Sequence, residues 1–384
     1  MIEAAPRVLV AGVTTRPLAL SAAQAGWTVI AADAFGDLDL RAAAEVLVPR
    51  DADGLFSPAA TAEASRGIAA GHVAYTSNFE NYPDAVTALA RGRRLLGNPA
   101  SVLRRVRDPL LLARTLRRLG FAAPRVRASA PREPLDRRRR WLLKPRRSGG
   151  GHGTSAWRSG RAVLRHQYLQ ERIAGVPGSV VFLADGRRAR VLGLSRQLVG
   201  RRAFGASGFR YCGSLMGPGL FRAEARLRSR TEALTDAVVR TFGLVGLNGI
   251  DFIARAGVPW PIEVNPRFSG SMELLERGAG LPLFALHAEA CSGRLPAGPV
   301  PDFERVHGKA IVFARADVLL GATHHWLRDP SLADIPHQGQ QIARGRPICT
   351  VFGSARDPEG CLRSLGDMAD AVYRTVEPVA RGAA

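Results

Sequence analysis

The residues best suited to chemistry lie close together between positions 251 and 267. Asp251, Glu263, Asn265 and Arg267 provide two carboxylates, an amide oxygen and a guanidinium. The runs around them alternate apolar and polar residues, and the Gly- and Pro-containing stretch 255–259 separates them, which predicts a β-hairpin. Residues two apart on a strand share a face, so the three oxygen donors should converge. Oxygen donors without sulfur or imidazole favour Mg²⁺ over zinc, and Arg267 is placed to meet a phosphate held by that metal.

A second stretch with chemical capacity begins at Trp141. Its strand-like run ends in Lys144, one of two lysines in the chain, and the glycine-rich stretch 148–154 follows. Glycine lacks the Cβ that would keep backbone N–H groups away from phosphate oxygens. The lysine precedes the glycines, which distinguishes the stretch from a Walker loop. Taken singly, the two motifs also fit an exposed polar hairpin face and a glycine-rich turn, but in this order they indicate a phosphate site.

The two motifs together resemble those of the ATP-grasp superfamily, whose members couple ATP hydrolysis to carboxylate ligation through an acyl-phosphate. The resemblance is strongest to predicted ATP-dependent carboligases that are similar to biotin carboxylase, and it extends over nearly the whole chain. It implies that Asp251, Glu263 and Asn265 bind two Mg²⁺ ions, with Mn²⁺ as a substitute. Arg267 and Lys144 would act in catalysis. The residues implied in ATP binding are Lys144, Ser148, Gly149, Gly150, Gly151, His152, Gln170, Glu171, Arg172 and Ile173.

Two parts of this nucleotide site need separate comment. The resemblance makes the segment 168–173 the adenine hinge, with Glu171 accepting a hydrogen bond from the adenine amino group and the backbone near Ile173 completing the pairing. His152 has two interpretations. It either supports the glycine-rich loop, which we favour, or contacts the γ-phosphate.

The chain departs from the family pattern at two positions. A lysine that reaches the ATP phosphates is missing near residue 109, and either Arg105 or Arg107 is a candidate to replace it. A glutamate for the ribose hydroxyls is expected where Gly178 stands, so ribose recognition is left open.

The N-terminal region predicts an α/β unit, with strands at 7–11 and 27–32 around a helix at 17–26. Gly12 alone remains of the dinucleotide-binding fingerprint, so NAD binding is not expected. The resemblance implies a mixed α/β and α+β fold. A Rossmann-like domain at 1–100 would precede an ATP-grasp domain at 101–300, with a lid at about 124–175 that includes a Pro- and Arg-rich connector at 128–140. A small β-rich subdomain at 301–384 would complete the core.

Substrate contacts are expected beyond the carboxyl ends of strands, where ligands of open α/β sheets bind. The stretch 76–81 follows the predicted strand 72–75, although a polar loop with helix caps explains it equally. Residues 196–197 and 209–211 are expected in loops, and residues 269–271 precede a helix whose N-terminus favours an anion. The substrate candidates are Thr76, Ser77, Glu80, Arg210, Ser269 and Ser271.

Composition limits the classes of protein to which the chain can belong. Its 384 residues suffice for two or three domains, and no apolar run reaches the roughly 18 residues of a membrane span. The N-terminus lacks the pattern of a signal peptide, and the four cysteines are widely spaced, so we expect a cytoplasmic protein with free thiols. The net charge of +21 comes almost entirely from arginine without an aromatic-rich basic stripe, which favours a small anionic substrate over nucleic acid.

The resulting hypothesis is an ADP-forming carboxylate–amine ligase that acts on small, anionic substrates. The alternatives are carboxylation through carboxyphosphate, as in biotin carboxylase, and a nucleotide-binding protein without turnover. The resemblance also allows a homodimer and a role in biosynthesis of a one-carbon carrier of the methanopterin or methanofuran type.

Overall fold

A computed structural model of the chain describes residues 5–130 and 140–378. The strands in these residues form four sheets of five, eight, four and three strands. Most of the connector predicted at 128–140 lies outside the described residues. No helix in the described part combines the length and the apolar character needed to cross a bilayer.

The first hundred residues form a parallel α/β unit, as predicted. The strands lie in the order β3-β2-β1-β4-β5. Val8 and Val10 of the central strand pack into one hydrophobic core, whereas Leu9 and Ala11 pack into another on the opposite face. A parallel sheet requires such burial on both faces. Its elements are β1 (Arg7–Ala11), α1 (Arg16–Gln24), β2 (Thr28–Ala32), α2 (Leu38–Arg41), β3 (Glu45–Leu47), α3 (Pro58–Ala64), β4 (His72–Tyr75), α4 (Pro83–Leu89) and β5 (Arg94–Leu96).

Two helices and a small antiparallel sheet follow. Pro109 begins the second helix, and the Asp108 carboxylate caps it by accepting from the N–H groups of Leu110 and Leu111 at 2.8 and 3.1 Å. The sheet has the strand order β6-β9-β7-β8, and we refer to it and its connections as the lid, residues 124–175. The elements are α5 (Ala100–Val106), α6 (Pro109–Arg118), β6 (Val126–Arg127), β7 (Trp141–Pro145), β8 (Ser155–Ala156) and β9 (Gln167–Glu171).

The remaining chain builds the eight-stranded antiparallel sheet, in the order β14-β13-β10-β11-β12-β15-β19-β17, and the three-stranded sheet β18-β16-β20. Strands from the C-terminal region therefore extend the sheet that carries the predicted metal hairpin. The elements are β10 (Val176–Asp185), β11 (Ala189–Val199), β12 (Tyr211–Met216), α7 (Glu224–Phe242), β13 (Val245–Arg255), β14 (Val258–Asn265), α8 (Glu273–Ala279), α9 (Leu283–Ala290), β15 (Val306–Phe313), β16 (Val318–Leu319), β17 (Leu332–Ala333), β18 (Gln341–Ile342), β19 (Pro347–Ala355), α10 (Pro358–Thr375) and β20 (Glu377–Pro378).

The predicted hairpin between β13 and β14 is present, with a tighter turn than the sequence suggested. Arg255 pairs with Val258, which leaves Ala256 and Gly257 as a two-residue loop. Both loop residues have positive φ values, 51° and 70°. That geometry matches the twist of the flanking strands. A one-residue shift in register between Asp251 and Phe252 then brings Asp251 opposite Glu263.

The prediction that residues 196–197 and 209–211 lie in loops is wrong for three of the five. Arg196 and Gln197 belong to β11, and Tyr211 begins β12. Gln197 lies opposite Ser214 in the ladder between these strands. Both side chains line a cavity, so the strands have a polar face that sequence alone reads as a loop.

A buried ionic network joins three parts of the chain. The guanidinium of Arg16, which is 2% exposed, lies 2.8 Å from Glu273, 2.7 Å from Asp334 and 3.3 Å from Asp39. Lys309 lies 2.6 Å from the second oxygen of Glu273. One arginine at the start of α1 thus contacts α2, α8 and the C-terminal region.

Candidate active site

The hairpin brings together the three oxygen ligands that the sequence predicted. Asp251 lies directly opposite Glu263, and Asn265 lies opposite Gly249 on the same pair of strands. The part of the chain that the structure describes has no group of three or more His, Cys, Asp or Glu residues able to hold a metal. A metal at this hairpin would therefore complete its coordination with phosphate oxygens and water, as Mg²⁺ commonly does.

The two carboxylates have opposite pKa shifts. Burial, and then the charge of Glu263, raises the pKa of Asp251, while hydrogen bonds from Ser179 and Gln197 partly oppose the increase. Burial alone would raise the pKa of Glu263 too, but the charges of Arg107 and Lys144 lower it. Opposed carboxylates of this kind favour a cation between them.

The hairpin, the lid and the glycine-rich loop enclose a cavity of about 410 Å³. This volume lies in the range of small-molecule sites. It brings together residues that are more than 100 positions apart in the chain. The sequence-predicted residues on its wall are Lys144, Ser148, Gly149, Gly150, Gly151, Gln170, Glu171, Arg172, Ile173, Asp251, Glu263, Asn265, Arg267, Ser269 and Ser271.

The glycine-rich loop packs against the segment that leads into β12. The backbone N–H of Tyr211 donates to the Gly150 carbonyl at 3.0 Å. Gly151 has a φ of 77°, and a Cβ there would collide with the carbonyl oxygen of Phe209. The exposed His152 ring lies 3.0 Å from the Gly149 carbonyl through Nδ1, and its contact is thus to the loop backbone. This placement agrees with the supporting role that we favour for His152.

Lys144 connects the lid to the metal hairpin. Its ammonium donates to Gln170 Oε1 at 3.2 Å, and Gln170 Nε2 donates in turn to the Ile262 carbonyl at 3.1 Å. Burial alone would lower the pKa of Lys144, but the interactions with Tyr168 and Glu263 raise it. A charged lysine therefore faces the cavity.

Comparison with known proteins agrees with this geometry. Residues 106–271 match the model of the ATP-grasp domain, a range that includes the glycine-rich loop, the lid and the hairpin. This segment of the chain is similar to the ATP-grasp domain. The predicted resemblance to the superfamily is therefore confirmed, and so is the mixed α/β fold that it implied.

The chain is similar to individual proteins over matches of different length. An uncharacterized protein of Methanocaldococcus jannaschii is 30% identical over 117 residues, which cover 30% of this chain but only 28% of that protein. The L-amino acid ligase of Bacillus licheniformis has a similar structure with a TM-score of 0.70 and 13% identity, over 98% of this chain and 99% of the ligase. A second similar structure is the biotin carboxylase domain of the Hydrogenobacter thermophilus 2-oxoglutarate carboxylase, solved as a dimer with MgADP, ADP and bicarbonate. Its TM-score is 0.69 at 14% identity, over 97% of this chain and 90% of that domain. At these identities, the similarity of this chain to the two solved structures shows the fold alone.

Arg107, one of the two candidates for the missing lysine, lines the cavity. Its guanidinium donates to Asn81 Oδ1 at 2.9 and 3.2 Å, to the Val264 carbonyl at 2.8 Å and to the Ser148 carbonyl at 3.2 Å. It also lies 3.6 Å from Glu263. Arg105, by contrast, is exposed and donates to the carbonyl of Thr241. The structure therefore places Arg107 on the cavity wall and Arg105 outside it.

The other predicted residues occupy different places. Arg267 lines the cavity, and its Nη2 donates to Glu80 Oε1 at 2.7 Å; Glu80 is 1% exposed and lies behind the cavity wall. Thr76 is buried and donates to the Thr14 carbonyl. Arg210 points to the C-terminal region, where it donates to the Gly345 carbonyl at 2.6 Å. Thr76, Ser77, Glu80 and Arg210 therefore lie outside the cavity lining.

Two residues of the nucleotide end also have defined surroundings. Glu171 lines the cavity, and its carboxylate accepts from the backbone N–H of Arg125 at 3.1 Å. A Cβ at Gly178 would lie within 3.0 Å of the rings of Phe221 and Phe252. A glutamate for the ribose does not fit at Gly178, which explains the departure from the family pattern.

Among the side chains of the cavity wall that sequence reasoning missed are Ser179, Gln197, Tyr211 and Ser214. Ser179 and Gln197 hydrogen-bond to Asp251, and the hydroxyl of Tyr211 lies 2.8 Å from that of Ser214. The pairing of the neighbouring strands identifies them. Ser179 lies opposite Asp251, and Gln197 lies opposite Ser214.

Proposed function

We propose that the protein is an ATP-dependent carboxylate–amine ligase that works through an acyl-phosphate and releases ADP and phosphate. The observation that carries the proposal is the cavity wall itself. It places the opposed carboxylates Asp251 and Glu263 together with Lys144, Arg107 and Arg267 around one space. Phosphoryl transfer depends mainly on positioning and on charge stabilisation, and this set of residues supplies both.

The donor set fits Mg²⁺ and supports the further proposal of two ions, with Mn²⁺ as a substitute. Asp251, Glu263 and Asn265 offer only oxygen, and burial and the charge of Glu263 raise the pKa of Asp251, so a bound cation would offset the repulsion between the two carboxylates. The similar carboxylase from Hydrogenobacter thermophilus was solved with MgADP. A bound Mg²⁺ would supply Lewis-acid stabilisation of the phosphate charge.

Different residues of the chain are assigned to the phosphates, the adenine and the substrate carboxylate. We assign the phosphates to Lys144 and to the backbone N–H groups of the loop 148–151, and the adenine to the segment 170–173. The substrate carboxylate is assigned to Arg267 with Ser269 and Ser271, all on the cavity wall. A carboxylate oxygen attacks the γ-phosphorus and the bond to ADP breaks. The amine nitrogen then attacks the acyl carbon, the C–N bond forms, and phosphate leaves as the amine gives up its proton.

Carboxylation through carboxyphosphate is the second candidate, because the similar carboxylase domain was solved with bicarbonate. In that reaction bicarbonate takes the place of the carboxylate substrate. A one-carbon carrier of the methanopterin or methanofuran type as product is a narrower proposal that rests on the sequence resemblance alone.

The test is a phosphate-release screen with MgATP over carboxylates paired with amines, and over bicarbonate. We expect release that needs both a carboxylate and an amine. Glu263→Gln should reduce it by roughly a hundredfold or more, whereas Glu359→Gln, at an exposed position of α10, should leave it unchanged. Bicarbonate-dependent release without an amine would select carboxylation. Absence of turnover with every pair, despite MgATP binding, would select a binding protein.

The phosphoryl acceptor is tested with an ¹⁸O-labelled carboxylate substrate. An acyl-phosphate pathway transfers one label to the released phosphate and forms ADP. Release of AMP and pyrophosphate would mean attack at the α-phosphorus, which would overturn the mechanism while leaving the fold assignment intact.

A further inference from the structure

The positive charge of the chain is concentrated in the lid. Residues 124–175 contain 13 arginines and one lysine against three acidic residues, which gives +11 of the chain's net charge of +21. The N-terminal unit, residues 1–100, has eight arginines against ten acidic residues. A uniform coding bias toward arginine would not produce this difference, so the charge of the lid needs a physical explanation of its own.

Exposed arginines of the lid lie in two segments, the connection between β8 and β9 and the start of the glycine-rich loop. Arg158, Arg161 and Arg165 lie in the exposed connection between β8 and β9. The backbone N–H of Arg146 donates to the His166 carbonyl at 2.8 Å, which places the end of that connection beside the start of the glycine-rich loop. We call four exposed residues of these two segments, Arg147, Arg158, Arg161 and Arg165, the lid-edge arginines.

One of the lid-edge arginines, Arg147, lies next to the N-terminal unit. The guanidinium of Arg147 lies 5.6 Å from the ring centroid of Tyr82. Tyr82 follows Asn81, whose side chain accepts hydrogen bonds from Arg107 on the cavity wall. A ligand lying along the lid edge would therefore reach the junction between the lid, the glycine-rich loop and the N-terminal unit.

We propose that the lid-edge arginines bind an oligocarboxylate chain, the acidic tail of a substrate whose reactive end enters the cavity at this junction. The proposal names a substrate class for the proposed ligase and so rests on it. Guanidinium groups bind carboxylates through paired N–H donors, and a cationic row beside a site raises the local concentration of an anionic ligand.

A carboxylate chain suits this surface better than a nucleic acid. Proteins that bind single strands stack bases on exposed aromatic rings. In the described part of the lid, Trp141 and Tyr168 are buried, and the half-buried Trp157 donates its indole N–H to the Arg161 carbonyl at 2.9 Å. The lid edge thus offers charge without a stacking platform.

The test measures binding of a fluorescent linear deca-L-glutamate to the full chain by anisotropy, at low and high salt. We expect binding that weakens with salt. The triple variant Arg158→Gln, Arg161→Gln, Arg165→Gln should bind roughly tenfold more weakly, because three exposed ion pairs are lost. The matched control removes three exposed arginines of α7, namely Arg226, Arg228 and Arg230, and should stay within about twofold of the parent.

Three outcomes would overturn the proposal. They are no binding at low salt, equal losses in both triple variants, and displacement of the peptide by an RNA decamer that binds more tightly. Thermal unfolding and MgATP affinity report whether each variant is folded, and the single variant Arg165→Gln provides a second test if the triple variant is not. The binding assay needs no turnover, so its failure is separate from a failure of the ligase proposal.

Discussion

Arg107→Ala is the substitution that best tests how this site handles charge. The arginine lies 3.6 Å from Glu263, and at an effective dielectric constant of about 20 such a pair attracts by roughly 4–5 kcal/mol. The Glu263 side chain is 26% exposed, so solvent reduces that energy. The same guanidinium also holds the Ser148 carbonyl of the glycine-rich loop and the Val264 carbonyl of the hairpin.

Loss of Arg107 should change metal and nucleotide affinity in opposite directions. An approaching phosphate would lose one positive charge and the anchored loop, so we expect MgATP to bind about 2–4 kcal/mol more weakly, roughly 30- to 1,000-fold. Mn²⁺ alone should bind at least as tightly as in the parent, because a cation that repels the metal has been removed. Calorimetry with a non-hydrolysable ATP analogue and with Mn²⁺ measures both quantities without a known substrate.

The matched control is Arg105→Ala, two residues away, exposed and outside the cavity. It should leave both affinities unchanged. Arg107→Lys keeps the charge but not the forked contacts, so its affinity should lie between those of the parent and the alanine variant. Joint loss of metal and nucleotide binding would show that Arg107 only supports the fold. Equal effects of the two alanine variants would refute its placement at the phosphate end.

Three further predictions concern other charges. Arg16→Met should lower the free energy of unfolding in urea by about 3–5 kcal/mol, because Glu273 and Asp334 lose a buried partner. The control Arg66→Met, which breaks an exposed pair with Glu63, should lower it by less than about 1 kcal/mol. Similarly small losses in both variants would contradict the importance of the network. Burial lowers the pKa of His287 to about 4, so its folded form binds fewer protons than the unfolded chain. Stability from this group should be complete above about pH 6.5 and fall toward pH 4, and His287→Gln should flatten that part of the pH profile; an unchanged slope would exclude His287 as its source. Lys144→Ala should weaken MgATP binding by about 1.5–3 kcal/mol in calorimetry, and unchanged affinity would make Lys144 a purely structural link to Gln170.

The hairpin that carries Asp251 and Glu263 could be predicted because local geometry fixes most of it. A two-residue turn at Ala256 and Gly257 pairs the two strands, and a one-residue shift in register between Asp251 and Phe252 brings Asp251 opposite Glu263. Strand alternation and turn residues are visible in any short window of sequence. The same holds for the glycine-rich stretch after β7.

The parts that sequence could not place depend on contacts between distant segments. Arg105 and Arg107 are equivalent as sequence, and only packing against Asn81 and Val264 distinguishes them. Gln197 lies in a polar run that is typical of a loop, yet it pairs with Ser214 of the neighbouring strand β12. The Gln197 side chain faces the cavity, so a polar residue stands where a strand packed on a core would have an apolar one.

The N-terminal unit also contributes to the site through contacts that no local pattern shows. Asn98 donates to the Pro266 carbonyl at 3.1 Å and to Asn248 Oδ1 at 2.9 Å, and its own oxygen accepts from the Val245 N–H. It therefore ties both strands of the metal hairpin to the end of β5.

Arg267 depends on that unit in the same way. Its guanidinium is anchored by Glu80, which lies at the carboxyl end of β4, and the side chains are 10% and 0% exposed. Removing one member of such a pair leaves an uncompensated buried charge. The orientation of the arginine that we assign to the substrate carboxylate is thus set by the N-terminal unit. This unit is a structural part of the cavity wall, and separating it from the segment 106–271 should disorder the Arg267 side chain even where the hairpin stays folded.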